Sequence, residues 1–274
     1  MISLFEAAVL GIVQGLTEFI PVSSTAHLRI VPALVGWPDP GAAYSAVIQL
    51  GTLASLLIFF RKDLFDFTMA SLHAVTHRDE QMSLQAKMPL YLVLGTIPIS
   101  VFGLLFSKFI TGPARSLYVI SGSLIVLAII LYIADRLSGK KREMIDSLWK
   151  DYLLIGLAQS VALIPGASRS GTTLAMGLVL GFTRESSMRI SFLLSIPAIG
   201  LSGLYELFKE RHNLAEAGFA GLAVGTLTAG IVGYMTIAAL LKYLRTHSTG
   251  IFVSYRILLG ICIILMLSMS ILVP

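Results

Sequence analysis

A chain of 274 residues that is 56% hydrophobic and only 13% charged cannot cover a water-soluble globule, because soluble domains carry about a quarter charged residues. Its mean hydropathy of +0.86 and apolar runs at 117–134 and 251–273 suit helices that cross about 30 Å of hydrocarbon. The one cysteine, Cys262, excludes a disulfide framework or a Cys-based metal site within one chain, and the net charge of +5 sits in short loops as a topology signal rather than a nucleic-acid surface.

In chain order, residues 3–36 form an apolar region broken by Pro21-Val22-Ser23-Ser24-Thr25-Ala26-His27. Three predicted spans follow, at 43–60, 89–107 and 116–134. A second apolar region, 152–183, is broken by Pro165-Gly166-Ala167-Ser168-Arg169-Ser170-Gly171. Three more spans are predicted at 190–208, 218–241 and 253–272. Proline and side chains that compete for backbone hydrogen bonds interrupt a helix. Such backbone survives at membrane depth only when buried in protein or facing a wet cavity. Both interrupted regions therefore read as re-entrant hairpins whose polar tips meet, with new helices beginning near 25 and 172. The expected fold is an all-α integral membrane protein of six transmembrane helices plus two re-entrant helix-loop-helix hairpins. It forms a single membrane domain over 1–274.

Loop charges agree with that count. One face receives twelve cations, Arg61, Lys62, Arg78, Lys87, Arg136, Lys140, Lys141, Arg142, Lys150, Arg184, Lys242 and Arg245; the other receives four, Lys108, Arg115, Lys209 and Arg211. The positive-inside rule makes the rich face cytoplasmic and puts both termini outside. An internal repeat points the same way. Gly11-Ile12-Val13-Gln14 before Pro21…Ser24 resembles Gly156-Leu157-Ala158-Gln159 before Pro165…Ser168, and Gly95-Thr96…Gly103 resembles Gly225-Thr226…Gly233. Halves of about 1–134 and 150–274, each a hairpin and three spans, make an inverted-topology repeat with a site near the midplane.

The first break gathers Glu18, Ser23, Ser24, Thr25 and His27; the second gathers Ser168, Arg169, Ser170, Thr172 and Thr173. A charge at the bilayer centre costs about 2.5–3.5 kcal/mol on insertion scales, so Glu18 and Arg169 are expected to face each other or a wet cavity. They could be a pair that only fixes the hairpins, but that leaves His27 and the hydroxyls unexplained. Arginine with hydroxyls and helix N-termini is a phosphate-binding combination. Ser24 beside His27 and Glu18 could be a nucleophile with an acid–base partner, and Glu18 could instead hold a divalent metal. Arg189 is read either as a second phosphate contact or as an end-of-span anchor. Gln49 and Ser195 are read mainly as packing residues, Gln14 and Gln159 are ambiguous, and His73, His77, His212 and His247 are read as solvated.

The stretch from Gly15-Leu16-Thr17-Glu18 through His27, with Pro165 to Gly171, resembles the paired signatures of the undecaprenyl-diphosphate phosphatase family, also known as bacitracin-resistance proteins. The resemblance spans the whole chain. It implies hydrolysis of undecaprenyl diphosphate to undecaprenyl phosphate and inorganic phosphate at a site that opens to the periplasm. It also implies a divalent cation, Mg or Ca, and a place in the bacterial inner membrane, where membrane lipid and the polyprenyl substrate are the expected partners and a homodimer is an allowed assembly. Glu18, Ser24, His27, Ser168, Arg169 and Thr173 fall on positions the family uses, with Ser23, Thr25 and Ser170 beside them. Where the family often has a Glu, this chain has Gln14, which can be neither a general base nor a strong metal ligand. The expectation is that Ser24 attacks or orients a water, His27 is the general acid/base, Glu18 holds the metal or moves a proton, and Arg169 clamps phosphate, with Arg189 and Gln14 as further substrate contacts. The rival reading is a polyprenyl-phosphate transporter or flippase, which needs the arginine but no nucleophile.

Overall fold

The computed structural model describes residues 2–77, 82–107, 110, 112, 114, 116–209 and 218–272. Among them every regular element is a helix, and the sole bridge pairs Arg142 with Phe182. Of the charges and histidines weighed above, Arg78, Lys108, Arg115, Arg211 and His212 lie outside the described residues. Among the described residues eleven α-helices run in the order α1 (Leu4–Thr17), α2 (Ser24–Val35), α3 (Gly41–Phe59), α4 (Arg61–His77), α5 (Leu84–Leu105), α6 (Leu117–Leu137), α7 (Trp149–Val161), α8 (Arg169–Val179), α9 (Arg184–Lys209), α10 (Phe219–Leu244) and α11 (Gly250–Ser268). Five of them, α5, α6, α9, α10 and α11, are long and apolar enough to cross a membrane; α3 with α4, bent by 67°, makes a sixth if the pair counts as one span. Leu90, Leu104, Leu204, Ile231 and Leu258 stand more than half exposed, as side chains facing lipid do and those of a soluble protein rarely do.

Residues 61–88 were expected to be loop, yet 61–77 form the helix α4. Phe65, Met69, Leu72 and Val75 recur at helical spacing and are all exposed, while Arg61, Lys62, Asp63 and Asp66 sit among them. That mixed composition lowers hydropathy without breaking the helix period. Ser71 Oγ donates to the Ala86 carbonyl at 2.8 Å, and Asp63 meets Arg189 at 3.0 Å.

The four arms around the two breaks are short. α1 has 14 residues, α2 has 12, α7 has 13 and α8 has 11. At 1.5 Å per residue none exceeds about 21 Å. Each first arm packs against a long helix from the other half of the chain, α1 on α10 and α7 on α5. Glycine makes both crossings possible. A Cβ on Gly11 would lie 2.6 Å from the Gly225 carbonyl oxygen, and one on Gly156 would lie 2.0 Å from the Gly95 carbonyl oxygen. Gly156→Ala should therefore lower the melting temperature, with an overpacking cost of about 1–3 kcal/mol. Gly122→Ala, where a Cβ meets nothing within 4 Å, is the matched control, and equal melting of the two variants would refute the close-packing argument.

Around this frame α10 also packs on α3, α9 on α3 and α8, and α6 on α8 and α11. Phe19, just past the end of α1, meets Phe192 of α9 edge-on at 5.3 Å, a contact worth about 0.5–1.5 kcal/mol beyond its burial. It draws the first break against the middle of the helix bundle.

Candidate active site

Both breaks end in the same backbone device. Ser23 has φ 76° and ψ 100°, and Ser168 has φ 68° and ψ 110°. Non-glycine residues seldom adopt positive φ, and each instance costs about 1–3 kcal/mol. Each serine caps the helix that follows, with Ser23 Oγ accepting from the Ala26 N–H at 3.4 Å and Ser168 Oγ from the Gly171 N–H at 3.2 Å. The helices thus begin at Ser24 and Arg169 rather than near 25 and 172. By backbone and cap, Ser23 and not Ser24 is the counterpart of Ser168, one residue away from the register the sequence comparison of the two breaks suggested. Ser24 and Arg169 then hold equivalent first positions of α2 and α8. One helix starts with a hydroxyl and the other with a guanidinium.

These helix starts meet at Glu18, which is 7% exposed. Glu18 Oε2 accepts from Gln14 Nε2 at 2.8 Å and from Ser24 Oγ at 2.7 Å. Gln49 Nε2 donates to both carboxylate oxygens at 3.1 Å. Arg169 pairs with Oε1. Four donors from four helices, α1, α2, α3 and α8, on one buried carboxylate satisfy its charge where hydrocarbon would penalise it. Gln49 is therefore a partner of the site and not the packing residue expected from sequence. Ser195 does pack, bonding the Ser191 carbonyl within its own helix at 2.8 Å.

A cavity of about 510 Å³ opens beside this cluster. Glu18, Ser23, Ser24, Thr25, Ser168 and Arg169 all line it. So do Ile99, Leu104, Ile110, Leu163, Ile164 and Leu201, which give an apolar wall continuous with the polar end. A second carboxylate, Glu206 of α9, also faces the cavity and lies 3.8 Å from Lys209. Because Glu206 sits near the end of a span, the sequence reading passed over it.

The other expected site residues lie elsewhere. Gln14 touches the site only through Glu18. Thr173 is fully buried and bonds Ser191 Oγ at 2.6 Å, and Ser170 Oγ reaches the Ile20 carbonyl at 3.3 Å; both tie the second break to its neighbours and neither lines the cavity. Arg189 is also away from it, bound to Asp63 and lying over the Phe60 ring at 5.4 Å. His27 is the main departure. Its Nδ1 lies 2.7 Å from the Ser23 carbonyl oxygen, so that nitrogen carries the proton, and its Nε2 lies 2.6 Å from the Tyr255 hydroxyl. The ring stacks on Tyr255 with 10° between planes. Neither nitrogen bonds Ser24, because the Ser23 carbonyl and Tyr255 of α11 hold them both.

Sequence reasoning also missed Arg256. It lies within the apolar α11 and has no exposed surface. Its guanidinium donates to the carbonyls of Ala167 at 2.9 Å, Gly166 at 3.2 Å, and Pro21 and Ser123 at 3.4 Å. One side chain thereby fastens both breaks, just upstream of the two strained serines. A Cβ on Gly171 would lie 2.7 Å from the guanidinium, so a side chain there would displace it from the carbonyls it holds. The available signal was a lone cation in an apolar span, which marks function or a buried partner.

Residues 7–262 match the family described as bacitracin resistance protein BacA. The chain belongs to that family. Among curated relatives, the undecaprenyl-diphosphatase of Myxococcus xanthus is 52% identical over 272 residues, which cover 99% of this chain and 92% of the relative. The protein of the same name from Chloroherpeton thalassium is 51% identical, covering 97% of this chain and 98% of its own length. That of Chlorobium phaeobacteroides is also 51% identical, with 96% of each covered. As a member of the BacA family the chain is a multi-pass membrane protein, which agrees with its exposed apolar helices.

Proposed function

We propose that this chain hydrolyses the phosphoanhydride of undecaprenyl diphosphate, giving undecaprenyl phosphate and inorganic phosphate, and so recycles the lipid carrier of cell-wall synthesis. One observation carries the reading. Ser24 Oγ already donates to a buried carboxylate that is paired with Arg169, and all three groups line one cavity whose other wall is apolar. Relatives named undecaprenyl-diphosphatase, about half identical over nearly the full chain, supply the substrate.

In this mechanism the diphosphate lies between the starts of α2 and α8. The first N–H groups of a helix have no acceptor within it and favour an anion. The Arg169 fork passes from Glu18 to the terminal phosphoryl oxygens. Ser24 Oγ attacks the terminal phosphorus and its proton moves to Glu18, while the bond to undecaprenyl phosphate breaks with the electron pair on the leaving group. Glu18 releases that proton to the departing phosphate. It then takes one from an incoming water and returns it to Ser24 as the phosphoserine is cleaved. His27, held between Ser23 and Tyr255, positions the start of α2 in place of the acid–base role expected for it. The isoprenoid lies along the apolar wall formed by residues such as Leu104 and Leu201.

A divalent cation, magnesium or calcium, fits here in company with the substrate. Among the described residues no three His, Cys, Asp or Glu side chains converge. One carboxylate with diphosphate oxygens and water is nonetheless a set that magnesium accepts, and Glu18 would supply that carboxylate. Once bound, the ion would neutralise phosphate charge.

The short arms of α1–α2 and α7–α8 support two re-entrant hairpins in an inverted repeat. The lysine- and arginine-rich loops then face the cytoplasm of the bacterial inner membrane, and both termini face the periplasm. The test is phosphate release from a polyprenyl diphosphate by purified protein, with and without a chelator. Ser24→Ala should melt like the parent yet release phosphate at least about a hundredfold more slowly. Undiminished release would refute the nucleophile. Substrate movement across liposomes without release would favour a carrier instead.

A further inference from the structure

A second cavity, of about 290 Å³, lies at the other charged feature of the molecule, where the end of α6, the start of α9 and the turn between α10 and α11 converge. Its walls include Asp135, Arg136, Lys140, Arg184, Ser248 and Gly250. The three cations outnumber the one carboxylate. Asp135 is buried, and its two oxygens are divided: Oδ1 meets Arg184 Nε at 2.8 Å and Lys140 Nζ at 3.3 Å, and Oδ2 accepts from the Thr249 N–H at 3.0 Å and hydroxyl at 2.8 Å. Asp135 thus anchors two cations without neutralising the group, and the cavity keeps a net charge of two positive units.

The arginine donors are also left open, whereas the Lys140 ammonium donates to the Asp135 carbonyl as well as meeting its carboxylate. Arg184 uses only Nε on Asp135, and among the described residues the terminal nitrogens of its guanidinium bond no other group. Arg136 makes no ion pair among the described residues and lies over the Tyr132 ring at 5.4 Å. Lys140 has φ 48°, a left-handed conformation that non-glycine residues seldom adopt. A structural tie between helices would need Arg184 and Asp135 but neither Arg136 nor an open cavity. The position is the lysine- and arginine-rich end of the bundle, also bearing Lys141, Arg142, Lys242 and Arg245.

We propose that this cavity binds a phosphate group, supplied by the headgroup of an anionic phospholipid or by free inorganic phosphate. Its size holds a phosphate with a glycerol, and basic pockets between membrane helices recognise such headgroups. The phosphate oxygens meet Arg136, the Lys140 ammonium and the free edge of Arg184, and Ser248 offers a hydroxyl. This site is separate from the catalytic cavity and does not depend on the reading given to that one.

The experiment uses full-length protein carrying Arg169→Ala, so that phosphate held in the first cavity does not contribute. Its melting temperature in an uncharged detergent is titrated with dihexanoyl phosphatidylglycerol, with dihexanoyl phosphatidylcholine, and with inorganic phosphate against chloride of equal ionic strength. Saturable stabilisation by phosphatidylglycerol and not by phosphatidylcholine assigns the lipid headgroup, and saturable stabilisation by inorganic phosphate assigns the free anion. In either case Arg136→Gln/Lys140→Gln should raise the half-saturation concentration by about twenty-five-fold, since each cation near an anionic surface contributes roughly a factor of five. If the double variant does not fold, Arg136→Gln alone should give about a fivefold rise. No saturable stabilisation in any titration, or stabilisation unchanged in these variants, would overturn the proposal.

Discussion

Arg169→Ala should slow phosphate release from a polyprenyl diphosphate by about a thousandfold or more, the range that an arginine supplied to a transferring phosphoryl group spans. The expectation follows from its place as the first residue of α8, on the cavity wall, paired with Glu18. A diphosphate offers the same planar fork more charge than one carboxylate does, so Arg169 is ready to change partners. Arg169→Lys keeps the charge without the bidentate geometry and should fall between the two. The fold should survive, because Gln14, Ser24 and Gln49 still donate to Glu18 and Ser168 still caps α8. Melting near that of the parent with turnover lost is the expected pair of results. Full turnover would sink the mechanism.

Glu18→Gln carries the second large effect, a loss of about a hundred- to ten-thousandfold in kcat, the usual worth of a positioned base. A diagnostic accompanies it. Glu18 competes with substrate for Arg169, so removing its charge frees the guanidinium and KM should hold steady or fall while kcat collapses. A residue that only supported the fold would lower the active fraction without splitting the two constants. Because Ser24 and Glu18 act on the same proton, Glu18→Gln/Ser24→Ala should be little worse than the poorer single variant. Losses that multiply would show that the two residues work independently.

Much of the site was legible because hydrocarbon makes polar residues conspicuous. Glu18 and Arg169 could be matched across 151 positions from the cost of charge in a bilayer alone, and proline with serine marked where both helices break. What was not legible depended on partners remote in sequence. Ser24 and His27 share a helix face by spacing, yet Tyr255 takes the imidazole away from the serine. Arg189 stood between a phosphate contact and an end-of-span anchor until α4, read as a loop, supplied Asp63. The register of the two breaks shifted by one residue because a left-handed serine, which no periodicity reveals, starts each helix. Gln49 was weighed and assigned to packing, and Arg256 was overlooked, for a common reason: a single polar residue in an apolar span is ambiguous until the group it bonds is known.

Arg256 also bears on how the protein is assembled. The carbonyls it holds belong to segments made from 89 to 235 residues earlier in synthesis. Until α11 enters the membrane those carbonyls lack their donor, and the entering helix brings a cation whose insertion alone costs about 2.5–3.5 kcal/mol. Each penalty is relieved only by the other. The two loops that end in Ser23 and Ser168 therefore gain this shared tie only once α11, the last helix of the order, is in place.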